Sequence, residues 1–151
     1  NQEYFIDECE KSSILIGMPN VLKMKSKYSY PFIMQELYQK VNLLINQTRC
    51  KSLLLKLGSK GVFCSEKIKK DNLHFSLDSF TNYNVVDAVG AGDALLAYAS
   101  VTLYKTNCLI TSSILGSLAA ACECEVDGNV PILPSDVLRK LNEFEKLCGY
   151  D

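Results

Sequence analysis

The chain has 151 residues and a formal net charge of −1 at neutral pH. Hydrophobic residues make up 48% and charged residues 22%, a balance that is typical of a globular protein and excludes a disordered polar chain. The near-zero charge gives no bulk electrostatic attraction to nucleic acid or to an anionic membrane, and no apolar run is long enough to span a bilayer. We therefore expect neither nucleic acid nor a membrane among its partners.

The first half of the sequence predicts strands around one amphipathic helix. A short apolar run at residues 12–18 indicates a buried strand, and residues 31–46 repeat apolar side chains at helical spacing. Residues 53–57 are almost continuously apolar, which is typical of a buried strand in a parallel sheet. A turn at residues 58–61 leads into a further strand, and alternation at residues 73–77 indicates an edge or half-buried strand.

The second half predicts one short strand followed by three helices. The strand is expected at residues 85–86, and the first two helices at residues 93–104 and 111–123. The third helix is expected after Pro134, with Ser135 as its N-cap. Its predicted core face consists of Val137, Leu138, Leu141 and Phe144. Strands that alternate with helices favour an α/β layer architecture.

The seven cysteines do not form a pattern that is typical of a metal site or a disulfide framework. Their number is odd, most of them lie in apolar runs, and no Cys-x-x-Cys pair or Cys/His cluster is present. We therefore predict free thiols in a reducing, cytoplasmic compartment. The residues concerned are Cys9, Cys50, Cys64, Cys108, Cys122, Cys124 and Cys148.

The segment from Asp87 to Asp93 is the strongest candidate for a site of chemistry. It reads Asp-Ala-Val-Gly-Ala-Gly-Asp and leads from a predicted strand into a predicted helix. Gly90 and Gly92 would let the backbone approach a ligand, and the free N–H groups of a first helical turn favour an anion such as phosphate. A Gly-x-Gly pair that opens a helix is, on its own, more often a packing feature. Asp87 could serve the loop as a cap instead of binding a cation.

The sequence Asp-x-x-Gly-Ala-Gly-Asp at a helix start resembles the signature of the ribokinase family of carbohydrate kinases, also called the phosphofructokinase B family. The resemblance implies in-line transfer of the γ-phosphoryl group of Mg-ATP to a hydroxyl of a sugar or sugar phosphate. It makes Asp93 the catalytic base, and Gly90, Ala91 and Gly92 the source of the amides that bind this phosphoryl group. The family usually has Thr where this chain has Ala88, which removes a hydroxyl group but keeps the loop and the base.

Three further segments match the family in order and spacing. The strand and turn at residues 54–61 resemble the segment that lies along the nucleotide, and the helix at residues 116–122 resembles the one beside the adenine. Helix packing alone would also explain the small residues of that helix. The loop at residues 128–131 resembles the one that closes the nucleotide pocket. The residues so implied in ATP binding are Gly58, Ser59, Gly61, Ala120, Gly128 and Asn129.

Two acidic residues are candidates for cation binding. Asn1 and Glu3 are similar to the family's Asn-x-x-Glu motif, which positions the Mg²⁺ hydration shell, but have one residue fewer between them. Either the motif is shifted or Asn1 stands there by chance. Asp87 is a candidate ligand for a monovalent cation, as its counterpart is in several relatives.

The resemblance extends over residues 53–147 and implies a ribokinase-like three-layer sandwich with a mainly parallel sheet. Family members are longer, so residues 1–151 are expected to form a C-terminal nucleotide-binding and catalytic part. The N-terminal half, with its lid and the homodimer interface that the lid often forms, is expected to be missing. The small-residue helix looks most like members that phosphorylate bacterial heptoses. The alternative is a non-catalytic fragment, or a nucleotide-binding module that needs a partner chain.

Overall fold

The computed structural model describes residues 14–17, 30–48, 50–69, 71–81, 85–128, 130–147 and 149. The chain divides into two compact units. The first consists of residues 1–58 and 62–76, and the second of residues 59–61 and 77–151.

The first unit is built on a sheet whose four strands lie in chain order. Strands β1 and β2 are parallel, and β2 and β3 are antiparallel. A single 3₁₀ turn at Gly58–Lys60 separates β2 from β3. The strands are β1 (Ile14–Gly17), β2 (Ser52–Lys56), β3 (Val62–Ile68) and β4 (Asp71–Leu77).

The strand positions confirm the sequence-based assignment, but the mainly parallel sheet is not confirmed. Of the two strand pairs whose register is described, one is parallel and one is antiparallel. The short Gly58–Lys60 connection explains the antiparallel pair, because parallel neighbours need a crossover of a dozen or more residues. Strand β4 comes last among the described strands, which agrees with the prediction of an edge or half-buried strand at residues 73–77.

Helix α1 (Tyr30–Gln47) supplies one side of the core of the first unit. Its apolar residues recur at i, i+4, i+7 and i+8, so they form one stripe that packs against alternate residues of β2 and the start of β3. Thr48 follows the helix, and its hydroxyl donates to the Leu44 carbonyl at 2.8 Å. The core cluster consists of Leu37, Val41, Leu44, Ile45, Cys50, Leu53, Leu55 and Phe63.

The side chain of His74 on β4 makes one hydrogen bond and contacts two aromatic rings. Its Nε2 lies 2.9 Å from Asn42 Oδ1, and because that oxygen can only accept, Nε2 carries the proton. The imidazole stacks on Phe63 at 5.7 Å and meets Tyr38 edge-on at 5.1 Å. Its other nitrogen, Nδ1, is buried without a hydrogen-bond partner. Burial lowers the pKa of His74 below its ordinary value of 6.5.

Three helices make up the described secondary structure of the second unit: α2 (Ala91–Thr106), α3 (Leu109–Cys124) and α4 (Pro134–Leu147). Asn107 ends α2 in the left-handed conformation, with φ of 50°, and its N–H donates to the Leu103 carbonyl at 2.8 Å. This tight turn makes α2 and α3 an antiparallel helical hairpin.

Small residues let α2 and α3 pack closely. A Cβ atom on Gly116 would lie 2.9 Å from Ala99 Cβ and 3.0 Å from the Leu95 carbonyl oxygen. The Ser112 hydroxyl donates to the Ala99 carbonyl at 2.6 Å in the same contact. The small face of this helix therefore serves helix packing at Gly116, which is one of the two interpretations that the sequence left open.

The predicted strand at residues 85–86 is wrong. The structure assigns no strand to residues 85–88, and the side chains of Val85 and Val86 are exposed. Instead of a neighbouring strand, the Cys124 carbonyl at the end of α3 accepts the Val86 N–H at 2.8 Å. Apolar character alone indicated a strand here, although the segment spans only two β-branched residues.

The start of α4 differs from the predicted N-cap. The helix begins at Pro134, so Ser135 lies within its first turn. The residue before it, Leu133, donates its N–H to Asp136 Oδ2 at 2.9 Å, which is half of a capping box. The predicted core face is also corrected, since Leu138 is 58% exposed and Lys140 is fully buried.

The five described cysteines carry free thiols, as predicted, while Cys9 and Cys148 lie outside the described residues. Burial raises the pKa of Cys50 to about 11, so this thiol stays protonated and unreactive. In the part of the chain that the structure describes, we find no helix with both the length and the apolar character needed to cross a membrane.

We predict that acid destabilises the fold through His74. Because folding lowers the His74 pKa, the unfolded chain binds the proton first, and stability should fall as the pH drops from 6.5 toward the folded value. The slope should stay well under the limit of about 1.4 kcal/mol per pH unit, since the ring is partly open to solvent.

Urea denaturation between pH 7 and 5.5 measures this effect. His74 is the single histidine of the chain, so His74→Gln removes the term. An equal loss of stability in both proteins over this range would contradict the prediction.

Candidate active site

The loop that leads into α2 is shaped by its own backbone and by one carboxylate. Oδ1 of Asp87 accepts the Val89 N–H at 3.0 Å, which is the capping role considered for this residue. Gly90 then adopts φ of 86° and ψ of −24°, in the left-handed region that favours glycine. The helix starts at the next residue, Ala91.

The first turn of α2 presents backbone N–H donors to a ligand bound at the N-terminal end of the helix. The N–H groups of Asp93 and Ala94 donate to the Gly90 carbonyl at 2.8 and 3.0 Å. Helix geometry leaves the N–H groups of Ala91 and Gly92 without an intrahelical acceptor. These two donors and the positive end of the helix dipole favour an anion, and a phosphate group has the charge and the acceptor oxygens that such a site needs.

The side chain of Asp93 is exposed in this same turn. It is the third residue of α2, so its carboxylate lies within one turn of the two free N–H groups. A carboxylate beside an anion site can accept a proton from a hydroxyl group that attacks the bound anion. The structure thus brings the four predicted catalytic residues, Gly90 to Asp93, together with Asp87 in one short segment.

Helix α3 holds this loop in place. The carbonyl oxygen of Cys124 accepts N–H bonds from Val86 and Asp87, at 2.8 and 3.4 Å. Burial raises the pKa of Cys124, and the carboxylates of Glu123, Glu125 and Asp87 raise it further. The Cys124 thiol is therefore protonated and does not act as a nucleophile.

Glu123 is a buried acidic residue near the loop that the sequence analysis did not single out. Its side chain is 2% exposed, and its Oε1 has no hydrogen-bond partner among the described residues. It lies two helical turns beyond Gly116 on the same face of α3, and next to the carbonyl that binds the loop. The available signal was a charged residue that closely follows the run of small residues at 116–122.

The turn at residues 58–61 contains two glycines with different environments. Both have positive φ, 62° for Gly58 and 81° for Gly61. A Cβ on Gly61 would lie 2.0 Å from the Leu77 carbonyl oxygen, whereas a Cβ on Gly58 would meet nothing within 4 Å. Gly61 is therefore required for a close backbone approach, and Gly58 and Ser59 are exposed.

The remaining predicted nucleotide residues lie on α3 and after it. Ala120 is half-buried, one turn beyond Gly116. Gly128 is exposed with φ of 77° and has open space around it. Asn129 and Glu3 lie outside the described residues. Throughout the described ranges, no group of three or more His, Cys, Asp or Glu side chains is placed to hold a metal ion.

Comparison with known proteins identifies the family of this chain. A model of the pfkB family carbohydrate kinases matches residues 31–136, which include β2 to β4, the loop at Asp87 and both helices of the hairpin. The chain belongs to the pfkB carbohydrate kinase family. A search of curated proteins gave no match.

Solved structures of pfkB-type kinases share the ribokinase-like α/β fold of this chain. Ribokinase of Arabidopsis thaliana, complexed with ribose and ATP, is 24% identical with a TM-score of 0.72, over 90% of this chain and 43% of the ribokinase. Aminoimidazole riboside kinase of Salmonella enterica, complexed with aminoimidazole riboside and an ATP analogue, is 21% identical with a TM-score of 0.67, over 93% and 46%. The chain thus spans less than half the length of these structures.

We predict that Ala substitutions at the two glycines of the turn lower the stability of the protein by different amounts. Gly58→Ala should cost about 1 to 2 kcal/mol, because only the left-handed backbone opposes it. Gly61→Ala should cost about 1 to 3 kcal/mol more, because its methyl group collides with the backbone at Leu77.

Chemical denaturation of the two variants gives these values. Equal losses of stability would show that the backbone of β4 does not approach Gly61 this closely.

We predict that removal of the Glu123 carboxyl group does not destabilise the protein. Glu123→Met keeps an unbranched side chain of similar length, and replacing a buried polar group that has an unpaired oxygen by an apolar one is neutral or stabilising, by up to about 2 kcal/mol. The exposed Glu145→Met is the control and should change stability by less than about 0.5 kcal/mol.

Thermal and urea unfolding measure both variants. A loss above about 1 kcal/mol for Glu123→Met would reveal a partner of this carboxylate, such as a bound cation.

Proposed function

We propose that residues 1–151 form the nucleotide-binding and catalytic part of an ATP-dependent carbohydrate kinase, which transfers the γ-phosphoryl group to a hydroxyl of a sugar or sugar phosphate. One observation carries this proposal: left-handed Gly90 opens α2 so that two free N–H groups and the exposed Asp93 share its first turn. Family membership supports it, and so do the ATP and sugar ligands of the two solved relatives.

The proposed reaction needs little from the protein beyond position and charge. The amides of Ala91 and Gly92 bind the oxygens of the γ-phosphoryl group and compensate their negative charge. The sugar hydroxyl attacks phosphorus in line with the leaving ADP oxygen. One O–P bond forms as the other breaks, and the hydroxyl proton passes to the Asp93 carboxylate.

The nucleotide would extend from this anion site over residues of α3 and its following loop. We assign Ala120, Gly128 and Asn129 to the nucleotide pocket, together with Gly58, Ser59 and Gly61 in the turn after β2. The open space around Gly128 supports its part in ligand contact, whereas the close backbone approach at Gly61 supports a structural part.

Mg²⁺ would be held chiefly by ATP. Magnesium usually keeps several waters and binds one or two carboxylates besides the phosphates, which fits a described part without a three-residue metal cluster. We assign Glu3 to its hydration shell. Asp87 uses Oδ1 as a loop cap, so Oδ2 remains for a cation, and we propose it as a monovalent cation ligand.

Three finer features belong to the same proposal: the acceptor, the oligomeric state and the cellular compartment. The small residues at 116–122 favour a heptose-type acceptor, and homodimerisation would use the part of the longer relatives that this chain does not span. The free cysteines favour a reducing cytoplasm.

Calorimetric titration of the folded chain with Mg-ATP tests the nucleotide site. We expect saturable binding that Gly92→Val weakens, because a branched side chain crowds the anion site. Ala97→Val is the matched control, since it adds the same side chain at an exposed position of α2. Absence of binding to well-folded protein would overturn the assignment.

We predict that Asp93→Asn lowers kcat by about 10²- to 10⁴-fold, because the variant lacks the proton acceptor. ATP should bind as well or slightly more tightly, since a negative charge beside the phosphates is removed. Phosphoryl transfer by the complete gene product and calorimetric ATP binding measure the two effects.

Asp71→Asn, at an exposed position of β4, is the control and should leave both unchanged. If Asp93→Asn retains activity while Asp87→Asn abolishes it, the two aspartates have exchanged roles. If neither changes kcat, the loop is structural and the enzyme assignment fails.

A further inference from the structure

A buried lysine stands out among the charged residues of the second unit. The Lys140 side chain on α4 is fully buried, although burying a charge costs free energy unless it is paired. Its Nζ donates a hydrogen bond to Glu125 Oε1, lies 3.9 Å from Glu143 Oε2 and lies 5.9 Å from the centre of the Phe144 ring. An apolar residue would fill this position without the free-energy cost of removing a charge from water. The pairing of Lys140 with Glu125 therefore suggests a role other than packing.

Glu125 is the C-cap residue of α3 and directly precedes the 126–133 loop. This is the loop that carries Gly128 and Asn129, the residues assigned to the nucleotide pocket. The Lys140–Glu125 pair therefore fixes the first end of the loop to α4.

The other end of the loop has its own attachments. The Tyr98 hydroxyl on α2 donates to the Ile132 carbonyl at 2.9 Å, and Asp136 accepts the Leu133 N–H at 2.9 Å. Burial raises the pKa of Tyr98, with Asp136 and Cys122 adding to the effect, so the hydroxyl keeps its proton at neutral pH.

The described residues at the tip of the loop, in contrast, are exposed. Asp127 and Gly128 are exposed, and nothing lies within 4 Å of a Cβ built on Gly128. Val130 is 48% exposed. Two fixed ends and an open tip are what a binding loop needs, because holding it in place before the ligand arrives reduces the entropy lost on binding.

We propose that Lys140 and Tyr98 are positioning residues for nucleotide binding, which hold the two ends of the 126–133 loop so that its tip is ready to contact ATP. This inference rests on the proposed function for its ligand, but not for the anchoring itself. In this role neither residue touches the nucleotide. Each acts through the backbone of the loop.

Amide hydrogen exchange of the folded chain without ligand tests the anchoring. Tyr98→Phe keeps the ring in the core and removes only the hydroxyl group, and Lys140→Met with Glu125→Gln removes both charges and leaves neither unpaired. We expect exchange of the 126–133 amides to become about five- to tenfold faster in each, as for the loss of one hydrogen bond. The controls are the exposed residues of the same helices, Tyr104→Phe on α2 and Lys146→Met on α4, and should show no change.

Calorimetry with Mg-ATP tests the consequence for binding. Tyr98→Phe and the Lys140/Glu125 double variant should weaken ATP binding by about five- to tenfold at a temperature at which both variants are fully folded. A merely structural role would move the unfolding temperature and leave the affinity of the folded protein unchanged.

The outcomes separate the two proposals. Unchanged loop exchange in both variants overturns the anchoring, whatever ATP does. Faster exchange with unchanged ATP affinity overturns the positioning role. Absence of ATP binding to the native chain overturns the proposed function, and with it the ligand of this inference, while the exchange experiment still decides whether the two residues anchor the loop.

Discussion

The close approach of α2 and α3 is the constraint on which the candidate site depends. Gly116 leaves room for Ala99, and because position 116 has no side chain to separate the helices, the end of α3 reaches the segment that precedes α2. There the Cys124 carbonyl accepts the N–H groups of Val86 and Asp87, two described residues to which the structure assigns no strand. A larger residue at 116 would separate the helices, and the loop would lose its support even though none of its own residues had changed.

The same geometry explains why a loop with so few side chains can have a defined shape. Asp87 caps it from within, and left-handed Gly90 turns it into the helix. Ala88 is exposed, and these contacts do not involve it, so the hydroxyl group that relatives usually carry there is not needed to shape the loop. Backbone hydrogen bonds and one carboxylate thus fix the shape of the loop, a role that several side chains share in many binding sites.

The sequence predicted most of the elements because their signals are local. The stripe of α1, the apolar run of β2 and the helix start after Gly90 each appear within one window of residues. The errors arose where a distant partner decides the conformation. The N–H of Val86 donates to a carbonyl group on α3 instead of to a strand. Lys140 is buried where Glu125 accepts its hydrogen bond. The direction of β3 relative to β2 depends on the length of the turn that joins them. The unpaired oxygen of Glu123 could not be foreseen, because burial of a charged residue depends on packing in three dimensions and not on the local sequence.

The distribution of thiols makes the chain suitable for distance measurements by energy transfer. Of the described cysteines, Cys108 is the one that is not buried, and it lies just after the C-terminal end of α2. The 16 residues of α2 correspond to about 24 Å at 1.5 Å per residue, so a dye on Cys108 would stand that far from the first turn of the helix. Once Cys9 and Cys148 are replaced, energy transfer between a fluorescent nucleotide and the dye on Cys108 would measure the distance of the bound nucleotide from Cys108.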